Sequence, residues 1–142
     1  MSDKCFVDTN ILVYSQDRAA GDKCSRAQVL INALWEDRNG VISTQVLQEL
    51  HIALRRRLKS PMSAVEAAEI LRDYSEWQVV VNNRESIFRA IDIETRYKIS
   101  FWDALILQAA EQAGAKTVYS EDLSHGARYA GVQVVNPFIA SR

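Results

Sequence analysis

The sequence predicts an α/β fold built around a parallel sheet, because short apolar runs alternate with longer segments of helical periodicity. The short runs predict five strands, near residues 4–8, 41–43, 78–81, 117–119 and 132–135. The longer segments predict helices near residues 10–16, 23–38, 45–59, 63–74, 84–97 and 102–113. Strands separated by helices form βαβ units, and such units place their strands parallel in one sheet.

Punctuating residues mark where several of these helices begin and end. Gly40 is predicted to end the second helix and Gly114 the last one, since glycine favours helix C-termini. Ser60-Pro61 separates the third helix from the fourth, because a residue before proline leaves the helical region. Ser63 and Glu66 have the spacing of a capping box at the start of the fourth helix.

Length and composition predict a single domain over residues 1–142. The chain has 142 residues, of which 48% are apolar and 25% charged, the balance of a globular protein with one core. No apolar run approaches the roughly 20 residues of a membrane span. Met1-Ser2-Asp3-Lys4 leads into a short apolar run without a cleavage pattern, and Cys5 and Cys24 lack metal-ligand spacing. We therefore expect a cytoplasmic protein with reduced thiols and no membrane contact.

Four acidic residues, Asp8, Glu49, Asp103 and Asp122, lie in or at the end of apolar segments. Carboxylates are rarely buried there unless they are paired or hold a metal. Parallel sheets bind ligands at the carboxyl ends of their strands, and both Asp8 and Asp122 follow such ends. Asp103 opens a helix whose buried stripe includes Ile106. The four acids therefore predict one shared site for a divalent cation.

Each acid also has a simpler explanation. Asp8 could cap the helix that follows it, and Asp103 could be an ordinary first-turn acid. Asp122 could be a turn residue, and Glu49 a solvated helix residue. These explanations remain open for each acid taken singly, although together they require four coincidences.

The net charge of −1 argues at first against a polyanionic partner. Seventeen basic residues stand against eighteen acidic ones, however, and four of the acids belong to the predicted site. With a cation bound there, the rest of the surface is mildly basic, which permits a nucleic-acid substrate.

Other catalytic classes fit the residues poorly. A haloacid-type phosphatase needs a second Asp two residues after the first, where this chain has Asn10. A receiver domain needs an acidic pair near the first strand, and a dinucleotide-binding domain a glycine-rich turn after Asp8. A metal-free acid–base pair of His51 and His125 would leave the four acids unexplained.

Three motifs and one further acid resemble those of the PIN-domain ribonucleases. They are Phe6-Val7-Asp8-Thr9-Asn10, Phe101-Trp102-Asp103-Ala104 and Ser120-Glu121-Asp122-Leu123, with Glu49 between the first two. Within that family the sequence looks most like the VapC-type toxins of bacterial toxin–antitoxin modules. The resemblance extends from the first strand to a Val-Asn-Pro-Phe tail. It implies a PIN-like three-layer α/β/α sandwich with a central parallel sheet in the order 3-2-1-4-5, and Mg²⁺- or Mn²⁺-dependent cleavage of RNA.

The resemblance also implies roles for individual residues. Asp8, Glu49 and Asp103 would be the core acids and Asp122 the fourth. Thr9 or Asn10, and Ser120, would orient carboxylates or water. Ser120 stands where the family often has Thr, which preserves the hydroxyl.

The partners implied by the resemblance are an RNA substrate, a cognate antitoxin and a second copy of the chain. Helices 45–59 and 63–74 would form the antitoxin groove, lined by Leu47, Leu54, Leu58, Val65, Ala68 and Leu71. The alternatives are a housekeeping PIN nuclease and a non-catalytic PIN scaffold that binds RNA or protein.

Two further features have two interpretations each. The basic run Arg55-Arg56-Arg57 with Lys59 is either a solvated helix end or a contact for an RNA backbone or a partner. Trp35, Trp77 and Trp102 are expected to pack in the core or an interface rather than to stack on bases.

Overall fold

The computed structural model describes residues 3–139, and the first two and last three residues of the predicted domain lie outside that range. The α-helices are α1 (Thr9–Gln16), α2 (Asp22–Asp37), α3 (Thr44–Arg56), α4 (Ala64–Tyr74), α5 (Arg84–Tyr97) and α6 (Phe101–Ala113). The strands are β1 (Cys5–Val7), β2 (Gly40–Ser43), β3 (Gln78–Val80), β4 (Thr117–Tyr119), β5 (Arg128–Tyr129) and β6 (Val132–Val135). A short 3₁₀ helix, Arg18–Ala20, joins α1 to α2.

The strands form one sheet in the order β3-β2-β1-β4-β6-β5, parallel throughout except for β5. The predicted order 3-2-1-4-5 is confirmed, because the fifth predicted strand is β6. The sequence analysis missed β5, a two-residue strand that pairs antiparallel with β6 at the sheet edge. The turn between them has positive φ at Ala130 and Gly131. Alanine rarely adopts that conformation, so the turn has little sequence signal.

The helices cover both faces of the sheet. The main helix contacts join α1 to α2 and α3, and α3 to α4, whereas α5 packs on α6. Crossover connections between parallel strands are right-handed. Since the chain moves outward from β1 to β3 and then back across to β4, this rule places α1–α4 and α5–α6 on opposite faces. The predicted three-layer α/β/α sandwich is therefore confirmed.

The third helix ends three residues earlier than predicted, at Arg56 instead of residue 59. The Met62 N–H donates to the Leu54 carbonyl at 3.0 Å, so the chain turns back over the helix end. Leu58 is buried within that turn and holds it against the core. Proline at position 61 favours the break, because Ser60 cannot remain helical before it without strain.

The predicted role of Gly40 is also wrong. Helix α2 ends at Asp37, its C-cap residue Arg38 adopts the left-handed conformation with φ 54°, and Gly40 instead begins β2. A Cβ atom at Gly40 would lie 2.6 Å from the ring of Trp77, closer than packed atoms approach. Glycine is therefore needed here for the close approach of an indole ring. The other predicted helix ends are confirmed, with Gly114 at φ 75° and a capping box at Ser63.

The tryptophans separate into two environments. Trp77 is buried, and its ring lies 5.3 Å from that of Trp35 and 5.1 Å from that of Tyr74. Trp102 is 64% exposed at the start of α6, so a place in the core is excluded for it. Cys5 and Cys24 are free thiols. Among residues 3–139, no helix combines the length and apolar character that crossing a membrane requires.

The sheet brings the ends of two central strands together. Val7 pairs with Tyr119 as the last residues of β1 and β4, and the Asp8 N–H donates to the Tyr119 carbonyl at 2.9 Å. Asp8 and Ser120 are thus neighbours at the carboxyl edge. Strand β2 also ends at this edge and leads directly into α3 through its N-cap, Ser43.

Candidate metal centre

Asp8 is the buried centre of this edge. Its side chain is the N-cap of α1 and is only 6% exposed. One carboxylate oxygen accepts the Thr9 N–H at 2.8 Å, and the other accepts the Ser120 hydroxyl at 2.9 Å. The N-cap interpretation is therefore correct, but it does not explain why the second carboxylate oxygen is held by Ser120, which follows the neighbouring strand β4.

Glu49 and Asp122 are held by the same short segments. The Thr9 hydroxyl donates to Glu49 Oε1 at 2.7 Å, and the Asn10 amide donates to Asp122 Oδ2 at 3.2 Å. The Ser120 hydroxyl also accepts the Asp122 N–H at 3.1 Å. Each predicted supporting residue thus contacts at least one of the predicted acids.

Asp8, Glu49 and Asp122 line one pocket of about 520 Å³. Asp103 is not among its lining residues. It lies half-buried in the first turn of α6, where its N–H donates to the Ser100 hydroxyl. Its charge nevertheless reaches the site, because burial and then the Asp103 carboxylate raise the pKa of Asp122. The structure therefore brings three of the four acids into one pocket and leaves the fourth at its margin.

Burial dominates the electrostatics of Asp8. Loss of hydration raises its pKa most, the charges of Asp122 and Glu49 raise it less, and the resulting pKa is about 7. The hydrogen bonds from Ser120 and Thr9 act in the opposite direction but are outweighed. Among the described residues, no basic side chain contributes to lowering the pKa of Asp8, so a cation in the pocket would stabilise its ionised form.

The neighbouring acid, Glu121, is neutralised separately. It forms a salt bridge with Lys23, and the Tyr14 hydroxyl donates to it at 2.7 Å. Burial raises the pKa of Glu121, but these contacts outweigh burial and bring it below its usual value. Glu121 therefore fixes the loop after β4 against α1 and α2 and leaves Asp122 to face the pocket.

The donors of the pocket suit a hard divalent cation. They are carboxylate, amide and hydroxyl oxygens, which Mg²⁺ and Mn²⁺ prefer. Within residues 3–139, no three His, Cys, Asp or Glu side chains converge closely enough to hold one ion among them. Mg²⁺ usually takes only one or two protein carboxylates and keeps several waters, so a site of this kind fits it. Asp8 with Glu49 or Asp122 would be the direct ligands.

The pocket also contains residues that the sequence analysis did not assign to it: Gln48, Ile52, Ala53 and Arg57. Arg57 follows Glu49 by eight residues, a spacing that returns to the same side of a helix. That spacing from Glu49 was the sequence signal that could have assigned Arg57 to the pocket. The helix was predicted to extend to residue 59, and Arg57 was grouped with the two arginines before it instead of with Glu49.

Neither histidine belongs to the pocket. His51 is not among its lining residues, and His125 Nδ1 accepts the N–H of Asn136 at 3.0 Å in a separate loop. The geometry gives no support to a metal-free histidine pair.

The raised pKa of Asp8 predicts a pH-dependent stability in metal-free protein. Because the folded pKa exceeds the ordinary value of 3.8, this group stabilises the fold fully below about pH 4. That stabilisation is lost as pH rises through about 7. Asp8→Asn in EDTA should therefore be more stable than the wild type at pH 8, by about 1–4 kcal/mol, and this difference in stability should be smaller at pH 5. Urea unfolding at both pH values measures this, and parallel pH profiles of the two proteins would contradict it.

Comparison with known proteins gives results that agree with the fold. The PIN domain model matches residues 5–130. Among solved structures, VapC20 of Mycobacterium tuberculosis, described as a sarcin–ricin loop cleaving toxin, is 25% identical with a TM-score of 0.65, over 84% of this chain and 90% of that chain. A toxin–antitoxin complex from Klebsiella pneumoniae is 19% identical with a TM-score of 0.70, over 95% and 98% of the two chains. DNA-bound VapBC from Salmonella typhimurium is 18% identical with a TM-score of 0.64, over 94% and 97%.

A search of curated proteins finds no match. The family model nevertheless spans most of the chain, and it begins at β1, which Asp8 directly follows, and ends beyond Asp122. The resemblance predicted from the sequence motifs is confirmed, and this protein belongs to the PIN domain family.

Proposed function

We propose that this protein is a metal-dependent endoribonuclease that acts in the cytoplasm as the toxin of a toxin–antitoxin pair. The observation that carries the proposal is the buried Asp8 carboxylate, which shares one pocket with Glu49 and Asp122 at the carboxyl edge of the sheet. The similarity to VapC20, described as a sarcin–ricin loop cleaving toxin, supports a nuclease of the toxin type.

In this proposal Asp8, Glu49, Asp103 and Asp122 together supply the negative charge of the site. Asp8 and one neighbour hold Mg²⁺ or Mn²⁺, and Asp103 acts from the margin. The bound cation would acidify a water and offset charge on the phosphate oxygens. A carboxylate that faces the pocket, either Glu49 or Asp122, takes the proton of the attacking water.

The supporting residues hold the carboxylates in position. The Ser120 hydroxyl fixes Asp8, the Thr9 hydroxyl fixes Glu49, and the Asn10 amide fixes Asp122. All three are neutral donors, so they orient the acids without cancelling the charge that attracts a cation. A site held in this way needs little rearrangement when the cation binds.

We expect the purified protein to cleave RNA in Mn²⁺ or Mg²⁺ and to leave 5′-phosphate and 3′-hydroxyl ends, because water is the nucleophile. Asp8→Asn should reduce the rate by about 10²-fold or more, since it removes a buried ligand without changing side-chain shape. Product ends can be identified by phosphatase and ligase treatment, and rates measured on total RNA.

Asp92→Asn is a matched control, because Asp92 is an exposed acid on α5 that is not among the pocket's lining residues. It should cleave at the wild-type rate. Cleavage that persists in EDTA, or 2′,3′-cyclic phosphate ends, would show that the mechanism is different. If the wild type binds RNA but never cleaves it, the chain is a PIN scaffold.

The proposed antitoxin would cover the acidic pocket and the adjoining part of α3 and α4. The groove is smaller than the sequence indicated, because Leu54 and Leu58 are buried in the core. The exposed apolar side chains that remain are Ile52, which lines the pocket, and Val65, which is 70% exposed. An apolar partner segment there could direct an Arg or Lys into the pocket. The similar complex from Klebsiella pneumoniae supports a partner of this kind.

We expect expression of the chain alone to arrest growth and co-expression with a small adjacent reading frame to restore it. Asp8→Asn should not arrest growth. Val65→Glu should remain toxic but resist rescue, because it places a charge on the apolar part of the proposed contact outside the acidic pocket. Equal growth in all strains, with folded wild-type protein present, would favour a housekeeping nuclease over a toxin.

The proposed homodimer would use an exposed apolar face on α5. This face comprises Ile87, Phe88 and Ile91, all of them at least 40% exposed. The three α5 residues share one side of the helix, and α5 packs on α6. The purified chain should have twice its 16.1 kDa mass by light scattering. Phe88→Glu should give a monomer, whereas a dimer unaffected by this change would place the interface elsewhere.

A further inference from the structure

The three adjacent arginines at the end of α3 differ in whether they line the acidic pocket. Arg55 and Arg56 lie in the last turn of the helix and are exposed, and neither lines the acidic pocket. Arg57 is the first residue beyond the helix, and it does line the pocket, on the wall that also carries Glu49. One of three adjacent arginines is therefore directed to the site of the proposed chemistry.

The backbone at Arg57 is well fixed. Its N–H donates to the Ala53 carbonyl at 2.8 Å, and the next residue, Leu58, is buried against the core. The guanidinium donates through Nη2 to Asn10 Oδ1 at 2.9 Å. The same Asn10 side chain donates to Asp122 at 3.2 Å, so the arginine belongs to the hydrogen-bond network of the acids.

Arg57 forms no salt bridge with the described acids. Burial and neighbouring carboxylates raise the pKa of Asp122, and the charge of Arg57, a smaller effect, lowers it. Among residues 3–139, no carboxylate oxygen lies within salt-bridge distance of its guanidinium, and its contact is with a neutral amide. Only one nitrogen of the guanidinium donates a hydrogen bond to a described residue. An arginine has five N–H donors, so most of them, together with the full positive charge, remain available at the rim.

We propose that Arg57 binds a backbone phosphate of the RNA substrate at the pocket and is a further residue of the nuclease site. The inference rests on the nuclease function proposed above. A phosphate at the pocket would meet the acids, with their cation, on one side and the guanidinium on the other. Arginine suits this place because its planar fork can donate two parallel hydrogen bonds to one phosphate. Without it, a substrate phosphate would meet mainly negative protein charge outside the cation.

The test compares Arg57→Ala and Arg57→Lys with Arg55→Ala and Arg56→Ala, which remove the same charge from the same helix end. We expect Arg57→Ala to lower kcat/KM on RNA in Mn²⁺ by about 10–100-fold. Arg57→Lys should keep much of the affinity and lose part of the rate, because it retains the charge but not the fork. The two control variants should remain within about twofold of the wild type.

Mn²⁺ titration separates phosphate binding from a structural role. Removing a positive charge beside the acids should leave Mn²⁺ affinity unchanged or tighten it by a factor of about 1–3. If Arg57 only held Asn10 and Asp122 in place, its loss would weaken Mn²⁺ binding together with cleavage. Parallel loss of both would therefore overturn the proposal, as would an Arg57→Ala variant as active as the wild type.

A binding measurement decides the question independently of cleavage. Fluorescein-labelled random-sequence single-stranded RNA is titrated into Asp8→Asn and into Asp8→Asn combined with Arg57→Ala, at several salt concentrations. Loss of one phosphate contact should make the slope of log affinity against log salt shallower by about 0.7. Equal slopes would overturn the role of Arg57. If the wild type fails to cleave, the nuclease proposal fails, but the slopes still test phosphate binding.

Discussion

The burial of one carboxylate, Asp8, is the constraint on which the rest of this edge depends. A desolvated aspartate costs free energy unless hydrogen bonds or a cation compensate for it. Both of its oxygens are therefore engaged, one by the helix that begins at Thr9 and the other by Ser120 at the end of the neighbouring strand. Because β1 and β4 are adjacent and in register, the sheet itself delivers the second donor. The topology and the site are thus consequences of the same pairing.

The choice of neutral donors around the acids has an electrostatic consequence. Thr9, Asn10 and Ser120 fix three carboxylates but leave their charge intact. Glu121 lies outside the pocket, and its charge is instead neutralised by a salt bridge with Lys23. Adjacent residues in the loop after β4 are therefore treated differently. Glu121 has a basic partner and is structural, whereas Asp122 has only a neutral donor among the described residues and remains available to a cation.

The sequence predicted most strands and helices because alternation and spacing encode them locally, whereas the sheet order was implied by the resemblance to the PIN-domain ribonucleases. It could not supply β5, since a two-residue strand has no periodicity, or the role of Gly40, which depends on the distant ring of Trp77. It predicted that Asp8, Glu49, Asp103 and Asp122 share one site, and three of these four acids line one pocket. Asp103 lies at the margin, because residue type and order along the chain do not fix where a side chain points. The catalytic roles of the four acids remain predictions.

The position of Arg57 explains how a protein with a net charge of −1 could accept a polyanion. Net charge averages over the whole surface, whereas a phosphate experiences mainly the charges within about a Debye length. At this edge Asp8 is buried in the pocket, the exposed residues Glu49, Asp122 and Arg57 also line it, and the Asn10 side chain lies between Arg57 and Asp122. A cation bound by the acids would turn their surroundings from repulsive to attractive, while the guanidinium is attractive throughout. The same separation would let a basic residue of an inhibitor compete for the acids without being paired to Arg57, so substrate binding and inhibition would depend on different charges of one pocket.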